Sequence, residues 1–565
     1  MPFRMRENIQ MRLNKRIEDI EHGYRQNVGI IGPLGVGKTK LLSEFFQSLS
    51  RNPKLIPVYI HAETIDADQL IEQWMGAMLS SVLLDRTLNI PKTLDALIRE
   101  AEPFIPQTLL AIQQLKKLMR QEKNILLVKE LFALTGKLAH ELKRKVILII
   151  DEFQALEKLP VPDPFALLGK QMMVDKETLY LVSSSATDRA REIFRDKLSL
   201  LFGNFEILEL VPFGFMEMEQ YLASRLPAHR WSYPLKKFLF RMTDGEPLYL
   251  DLFMNRLENY ELHEVPQNVS PSVLLDVFCQ ELFDRRGRIA LIFERRIEQC
   301  GRMARHSGPY IRTMLALSYG CRKIVNIAAF IKEPIAEAKK ILKRLTQEGL
   351  IVKSGSFYHI PDVLFRFWLR EVFQKRHSLF LPEERLLWKQ LFDALNRILE
   401  AAMDPMDDQI QSRLERLLKE FRNDTVEIDQ KKKQCPHFSE IIGKPSHDAV
   451  QTFLARSNRG KWFLQATADW VGEEAIASFL AESKHVRKLQ KRILMPLLGI
   501  DQNARLMAQE AKIEMLDLRQ LNILLDLYDL PKIIILPKKG SYEPKESYGS
   551  DVVTMAQNLS TRQSA

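Results

Sequence analysis

Residues 32–39 read Gly-Pro-Leu-Gly-Val-Gly-Lys-Thr, directly after the apolar stretch Val28-Gly29-Ile30-Ile31 and before a helical run from Leu41 to Leu49. Strand, glycine-rich loop and helix in that order commit this part of the chain to a parallel α/β layer. Gly-x-x-x-x-Gly-Lys-[Ser/Thr] is a phosphate-binding pattern. Its glycines let backbone N–H groups curl around an anion where a Cβ would collide or forbid the needed φ. Lys38 reaches the β- and γ-phosphates of a nucleotide, and the Thr39 hydroxyl ligates Mg²⁺. The helix beyond turns its positive end to the same anion. Gly32, Pro33, Leu34, Gly35, Val36, Gly37, Lys38, Thr39 and Lys40 are therefore expected at the nucleotide. A glycine-rich turn without a ligand is the plain alternative, and five agreeing features weigh against it.

A second element adds hydrolysis. Val146-Ile147-Leu148-Ile149-Ile150 follows Lys145 and ends in Asp151-Glu152. An unbroken aliphatic run suits a strand covered on both faces, and ligands of such sheets sit at the strands' carboxyl ends. Asp151 is expected to hold Mg²⁺ through water, and Glu152 to orient and polarise the attacking water, with Lys38 on the phosphates. An ordinary core strand with an acidic turn would look the same in isolation; downstream of a phosphate loop the pair favours an ATPase.

A chain of 565 residues exceeds one core, so three or four domains are expected. The 46% apolar and 27% charged fractions are those of a soluble globular protein. No apolar run approaches a bilayer span, Met1-Pro2-Phe3-Arg4-Met5-Arg6 lacks the apolar core of a signal peptide, and no membrane contact is expected. Cys279, Cys300, Cys321 and Cys435 lie far apart, which fits a reducing compartment and argues against a zinc site. The expected location is cytoplasmic. A net charge of +10 is compatible with nucleic acid, but weakly so, because 82 basic residues face 72 acidic ones along the whole chain.

Strands are expected at 27–31, 55–61, 146–150, 178–184 and 205–211, with helices between them, which describes an α/β parallel sheet. About eighty residues separate the second and third strands, and 86–143 reads as an inserted helical hairpin. At this point the chain resembles a family: AAA+-related P-loop ATPases, and among them the prokaryotic, archaeal-type ATPases of the MNS and STAND kind, relatives of origin-recognition ATPases. The resemblance covers about 1–370. It implies that Arg6-Glu7 passes close to adenine, and that Ser184-Ser185 stand at the sensor-1 position reading the γ-phosphate or the attacking water. It also implies that Gly245-Glu246-Pro247 belongs to a helical lid packed on the nucleotide. A plain strand end, a lid turn and a solvated helix start remain open for these three.

Two departures stand out. Leu201-Phe202-Gly203-Asn204 replaces the family's Leu-x-Gly-Arg, and Leu248 stands where a sensor-2 arginine is looked for. Asn204 cannot offset transition-state charge as an arginine does. Arg189, Arg191 and Arg195 are nearby candidates, and slow turnover is expected.

Tyr310–Ser318, Ile324–Ile331 and Pro334–Gln347 have helical periodicity, and Leu350–Ile360 reads as a hairpin turning at Ser354-Gly355. Three helices and a hairpin make a winged helix-turn-helix. Its third helix is expected to turn Ile335, Ala338, Leu342 and Leu345 inward, and Lys339, Lys340, Lys343 and Arg344 outward. That basic face suits duplex DNA, or is a solvated surface on a domain used for packing; both readings stand. Phe365–Phe373 resembles the family's closing helix. Lys431-Lys432-Lys433 is expected to begin a linker ending near Pro436.

The segment 437–537 is similar to the restriction-endonuclease-like fold, in which carboxylates hold Mg²⁺ and a strand lysine helps activate water. Here the strand reads Gln465-Ala466-Thr467, without the lysine, and Asp448 is the lone acid. The expected domains are thus an AAA+-like ATPase domain over 1–212, a helical lid over 213–300, a winged helix over 301–370 and a helical connector over 371–436. A degenerate nuclease-like α/β domain over 437–537 and a disordered tail over 538–565 follow. The expected function is an ATP- and Mg²⁺-dependent switch that hydrolyses ATP slowly, contacts DNA or an unidentified protein, and assembles in response to nucleotide. The alternative is a non-catalytic, nucleotide-dependent scaffold.

Overall fold

The computed structural model describes residues 6–63, 66–84, 89–198, 205–226, 231–261, 269–302, 308–378, 383–404, 409–429, 431–444 and 450–535. Contacts divide the chain into two compact units, Met1–Gln299 with Asp362–Arg397, and Cys300–Pro361 with Ile398–Ala565.

The first unit opens with α1 (Glu7–Glu21), β1 (Asn27–Ile31), α2 (Lys38–Leu49), β2 (Leu55–His61) and α3 (Ala67–Leu83). It continues through α4 (Leu94–Ala101), α5 (Pro106–Arg120), α6 (Asn124–Leu142), β3 (Lys145–Asp151), α7 (Pro164–Val174), β4 (Thr178–Ser184), α8 (Thr187–Glu192) and β5 (Phe205–Glu209). The five strands are parallel in the order β2-β3-β4-β1-β5. Period-two alternation explains the aliphatic run in β3. Ile147 and Ile149 pack with α1 and α2 through Leu13, Ile17, Leu42 and Phe45, while Val146, Leu148 and Ile150 pack on the other face with α3, α6 and α7. The hairpin expected at 86–143 is three helices, because the helix breaks after Ala101 and Pro106 opens α5 at its first position; Leu97, Ile112, Leu115 and Leu131 extend the core of α3.

Helices α9 (Phe215–Arg225), α10 (Tyr233–Thr243), α11 (Pro247–Glu261), α12 (Pro271–Phe283) and α13 (Arg288–Arg302) follow the sheet. Next come α14 (Gly308–Ser318), α15 (Ile324–Ile331), α16 (Ile335–Gln347) and the antiparallel pair β6 (Val352–Ser354) and β7 (Phe357–His359), all in the second unit. Then α17 (Val363–Trp368), a π-helical turn over Leu369–Phe373 and α18 (Gln374–Ser378) belong to the first unit again. Trp368 Nε1 donates to Leu282 O at 2.9 Å, and Phe293 and Phe365 lie 4.9 Å apart. The contacts therefore group 362–397 differently from the boundaries expected at 370 and 436.

The second unit resumes at Ile398, within α19 (Glu384–Met403), and continues with α20 (Ile410–Glu420), β8 (Asp424–Ile428), β9 (Lys431–Cys435), β10 (Glu440–Lys444), β11 (Val450–Ser457), β12 (Gly460–Thr467) and α21 (Glu473–Lys484). The last elements are β13 (Leu489–Pro496), α22 (Gln502–Glu510), β14 (Glu514–Met515) and α23 (Leu518–Leu527). Strands β10 to β14 form one mixed sheet in chain order. Lys431 begins a strand and not a linker: β9 pairs with β8 and anchors its end through buried Cys435, while its lysines stay outside or, like Lys433, reach Glu514 at 2.9 Å. The tail expected from 538 lies outside the described residues.

Candidate nucleotide-binding site

The loop between β1 and α2 closes because Gly37 takes φ +95°, a left-handed conformation that side chains rarely adopt. Lys38, buried at the start of α2, donates from Nζ to Gly32 O at 2.8 Å and Pro33 O at 2.9 Å. Burial lowers its pKa, against the opposing pull of Glu152, Asp151 and Glu246. The ammonium is thus held by carbonyls of the loop it is expected to bridge to phosphate.

Asp151 ends β3 with a wholly buried side chain. Its Oδ2 accepts from Thr39 Oγ1 at 2.7 Å and Tyr59 OH at 3.0 Å, and lies 3.4 Å from His61 Nδ1. Its Oδ1 accepts from Ser183 Oγ. Burial and the adjacent Asp151 hold the Tyr59 phenol well above its ordinary range, so Tyr59 remains a donor. The structure therefore brings together Thr39 and Asp151, the two residues expected at Mg²⁺. Tyr59, His61 and Ser183 were missed; the register pairing His61 with Asp151 is the cross-strand signal that would have found the first two.

Glu152 adopts φ +57° at the carboxyl edge of the sheet. Its Oε2 accepts from Ser185 N at 2.8 Å, Ser185 Oγ at 2.7 Å and Gln154 Nε2 at 2.7 Å. Ser185 thus stands beside the predicted water-orienting carboxylate. Ser184 does not: β4 alternates, and the Ser184 hydroxyl turns back to accept from Ala186 N at 3.1 Å. Ser183, on the face of Ser185, takes the place at Asp151.

The lid turn follows α10. Asp244 and Gly245 both have positive φ, and a Cβ on Gly245 would stand 2.0 Å from Phe213 O, so the glycine is required there. Gly245 shapes the turn, whereas Pro247 and Leu248 line a cavity of about 230 Å³ with Leu34, Gly35, Gly37, Lys38, Thr39, Lys40 and Glu152. Tyr221 and Asp251 complete the wall. Between Gly245 and Pro247 in the chain, Glu246 buries Oε1, which meets no donor, and a Cβ built on Gly35 would lie 2.7 Å from it. Burial first, then Asp362 and Asp244, push this carboxyl up to about 8, against Arg296 and Lys38.

Arg6 is buried, donates to Val211 O at 2.6 Å and lies 4.8 Å over the Phe213 ring; Glu7 begins α1 beside it. Arg189 pairs with Glu157 and Glu192, Arg191 with Glu209 at 3.1 Å, and Arg195 with Asp196 at 2.7 Å. Asn204 lies outside the described residues. A different cation reaches the cavity wall: Arg225 donates to Tyr221 OH at 2.9 Å and Asp251 Oδ1 at 3.0 Å, and pairs with Glu258 at 2.7 Å.

In the second unit Lys339, Lys340, Lys343 and Arg344 lie exposed on α16, and Ala338, Leu342 and Leu345 are buried. Ile335 is 54% exposed, contrary to its expected inward place, because it starts the helix before the first full turn meets the core. The β6–β7 turn is engaged: Ser354 Oγ donates to Glu427 O at 2.5 Å, and Ser356 N to Thr425 O at 2.8 Å. Gln465 and Thr467 are buried on β12, with Gln465 Nε2 donating to Thr452 Oγ1 at 3.3 Å. Asp448 lies outside the described residues. No helix among the described residues is long and apolar enough to cross a membrane.

Residues 2–169 match the family model described as AAA ATPase domain. No curated protein is similar at a significant level. Among solved structures, the chain is similar to the Walker-type ATPase PABY2304 of Pyrococcus abyssi, at 17% identity and TM-score 0.42, over 65% of this chain and 95% of that one. It is also similar to the Aeropyrum pernix ORC2 protein in ADPNP–ADP complexes, at 13% identity and TM-score 0.42, over 70% and 94%. The Aeropyrum pernix ORC1 protein in complex with DNA follows at 14% identity and TM-score 0.37, over 66% and 94%. The parallel sheet and its loop make the first unit a P-loop NTPase fold, with a helical region and a further sheet domain after it.

Proposed function

We propose that the chain is an ATP-dependent conformational switch that hydrolyses ATP slowly. One observation carries this reading: Thr39, which lines the cavity with Lys38, Glu152, Pro247, Leu248 and Asp251, donates its hydroxyl at 2.7 Å to the buried Asp151 carboxylate behind it. These residues fit a Mg²⁺ nucleotide, since Mg²⁺ takes only one or two protein oxygens and completes its shell with phosphate and water. Thr39 and Asp151 would hold the ion, which when bound neutralises charge on the phosphates. Lys38 leaves its carbonyl partners to bind phosphate, and Glu152 orients water once released from Ser185 and Gln154. That release is a step ordinary hydrolysis does not need, which supports slow turnover. The same restraint favours the second reading, a nucleotide-dependent scaffold without turnover.

The remaining assignments belong to this proposal. The unit α14–α16 with β6–β7 is taken as a winged helix, whose Lys339, Lys340, Lys343 and Arg344 meet duplex DNA. The β10–β14 domain is taken as a nuclease-like fold retained for binding, since Gln465 and Thr467 cannot serve as a cationic lysine. Assembly with a protein partner or with further copies on nucleotide binding completes the switch.

Two variants separate its parts. Lys38→Ala is expected to lose ATP binding, at least a hundredfold by calorimetry. Glu152→Gln is expected to bind ATP normally and release phosphate roughly 10²-fold more slowly, within the range for general-base loss. Equal phosphate release by wild type and Glu152→Gln selects the scaffold reading, and retained binding in Lys38→Ala removes the phosphate-loop reading.

A further inference from the structure

A cluster of positive charge lies at one end of the C-terminal sheet. Residues 456–461, the turn between β11 and β12, contain Arg456, Arg459 and Lys461. Residues 484–492, which lead into β13, contain Lys484, Arg487, Lys488, Lys491 and Arg492. These fifteen residues hold eight Lys and Arg and no Asp or Glu. Distant in sequence, the two segments are joined by the parallel ladder: Lys461 pairs with Leu489, Trp462 with Lys491, and Lys461 N donates to Lys488 O at 3.0 Å. Three of the cations have partners, Arg456 with Glu440 at 4.0 Å, Lys491 with Glu514 at 2.5 Å and Arg492 with Ser483 Oγ at 2.9 Å. The other five meet no carboxylate of the described residues within 4.0 Å, and of these Arg459, Lys484, Arg487 and Lys488 are exposed.

Like charges gathered on a rigid ladder repel one another and contribute nothing to folding, so their arrangement calls for an anion. The polar neighbours narrow its kind. Besides the four cations and Arg456, the exposed side chains are Asn458, His485 and Gln490, and none of the exposed residues in the two segments is a large hydrophobe. A protein-binding centre is normally anchored by aromatic or aliphatic side chains, and an interfacial membrane contact by an apolar face. Single strands are held by stacking on aromatics, and the aromatic residue here, Trp462, is buried beneath Lys491 with the ammonium 4.6 Å from its ring. Cations and hydrogen-bond donors without apolar anchors match a phosphodiester backbone.

We infer that the β11–β12 turn and the entry to β13 form a site for the backbone of duplex DNA, bound without regard to base sequence. The site belongs to the domain that sequence alone marks only by its missing nuclease lysine, and it stands independently of the α16 face.

The test uses the full chain and a fluorescent 30-base-pair duplex of random sequence, titrated at several salt concentrations. Arg459→Gln/Arg487→Gln/Lys488→Gln is expected to weaken binding roughly tenfold or more near 0.1 M salt and to flatten the log–log salt slope by about 2–3, since each neutralised phosphate contributes about 0.9. The double variant Arg459→Lys/Arg487→Lys, which keeps charge, is expected to retain wild-type affinity, and unchanged thermal melting and ATP binding show that the fold is intact. The α16 variant Lys339→Ala/Lys340→Ala/Lys343→Ala/Arg344→Ala runs alongside. Loss in the sheet-end variant but not in the α16 variant supports this site and removes the α16 reading. Loss in the α16 variant alone overturns this site and keeps that one. Absence of wild-type binding to duplex, or a preference for single strands, an acidic peptide or phosphatidylserine vesicles over duplex, overturns it as well.

Discussion

Glu246 is held by opposing demands. The left-handed turn at Asp244 and Gly245 fixes its backbone, the adjacent Gly35 leaves just enough room for its carboxyl, and no donor meets Oε1. A charged carboxylate there would be desolvated, with Oε1 lacking a hydrogen bond, and would be repelled by Asp362 and Asp244, so the neutral acid is favoured, with its pKa near 8. An unfolded glutamate gives up its proton near 4.5. Between 4.5 and 8 the folded chain binds the extra proton, so this group's contribution to stability is greatest below the window, falls as pH rises through it, and is lost above pH 8. Glu246→Gln imitates the protonated form at every pH. It is expected to melt with wild type near pH 4.5 and several degrees above it at pH 8.5, with 1 kcal/mol worth about 2–4 °C in a domain of a few hundred residues. Melting curves without nucleotide decide it: a constant difference at both pH values would show that Glu246 does not titrate in this window.

At the scale of elements, strands were legible wherever composition alone sets the state. The β3 run had to be a strand covered on both faces, and the expected strand 178–184 coincides with β4 from end to end. Residue 431 shows the limit, because three lysines read as solvent-facing chain, and only the pairing with β8, far from any local preference, makes them a strand. The site follows the same rule. Gly32 to Thr39 and Asp151-Glu152 are local motifs, whereas Tyr59, Ser183 and Arg225 reach the site through cross-strand register or lid packing that no window of sequence contains. Helix α16 is legible for a local reason, its strong two-sidedness: Ala338, Ile341, Leu342 and Leu345 buried, four cations exposed. A DNA-binding winged helix also uses its hairpin, but here the Ser354–Ser356 turn bonds to β8. If DNA meets this module, α16 alone supplies the contact. Replacing Lys339, Lys340, Lys343 and Arg344 by Ala is then expected to flatten the log–log salt slope by about 3–4, at roughly 0.9 per charge. Changing Lys353 of β6 to Ala is expected to leave the slope as it is. An unchanged slope in the quadruple variant would make the α16 charges a solvated surface.

For the whole molecule the decisive fact is that the first unit is discontinuous. Residues 300–361 leave it, and Asp362–Arg397 complete it. What returns is core material. Asp362 accepts from Arg296 at 2.5 Å and from the Tyr249 hydroxyl, and α17 brings buried Phe365 and Trp368 against Phe293. A chain ending at Gln299 would expose the Phe293 face, leave the half-buried Arg296 without its carboxylate, and lose the two aromatics. Removing one buried aromatic costs about 3–5 kcal/mol, so the loss of two, with the Arg296–Asp362 contact beside them, rivals the net stability of a domain. A chain of residues 1–397 keeps every one of these contacts. It is therefore expected to be soluble, to melt cooperatively and to bind ATP with wild-type affinity, while 1–299 is expected to aggregate or to melt without a transition, with ATP binding lost in proportion. Calorimetry and ATP titration on the two fragments settle the point. Cooperative melting and full ATP affinity in 1–299 would show that the segment after the hairpin is an accessory, and that the lid over the phosphate loop folds without it.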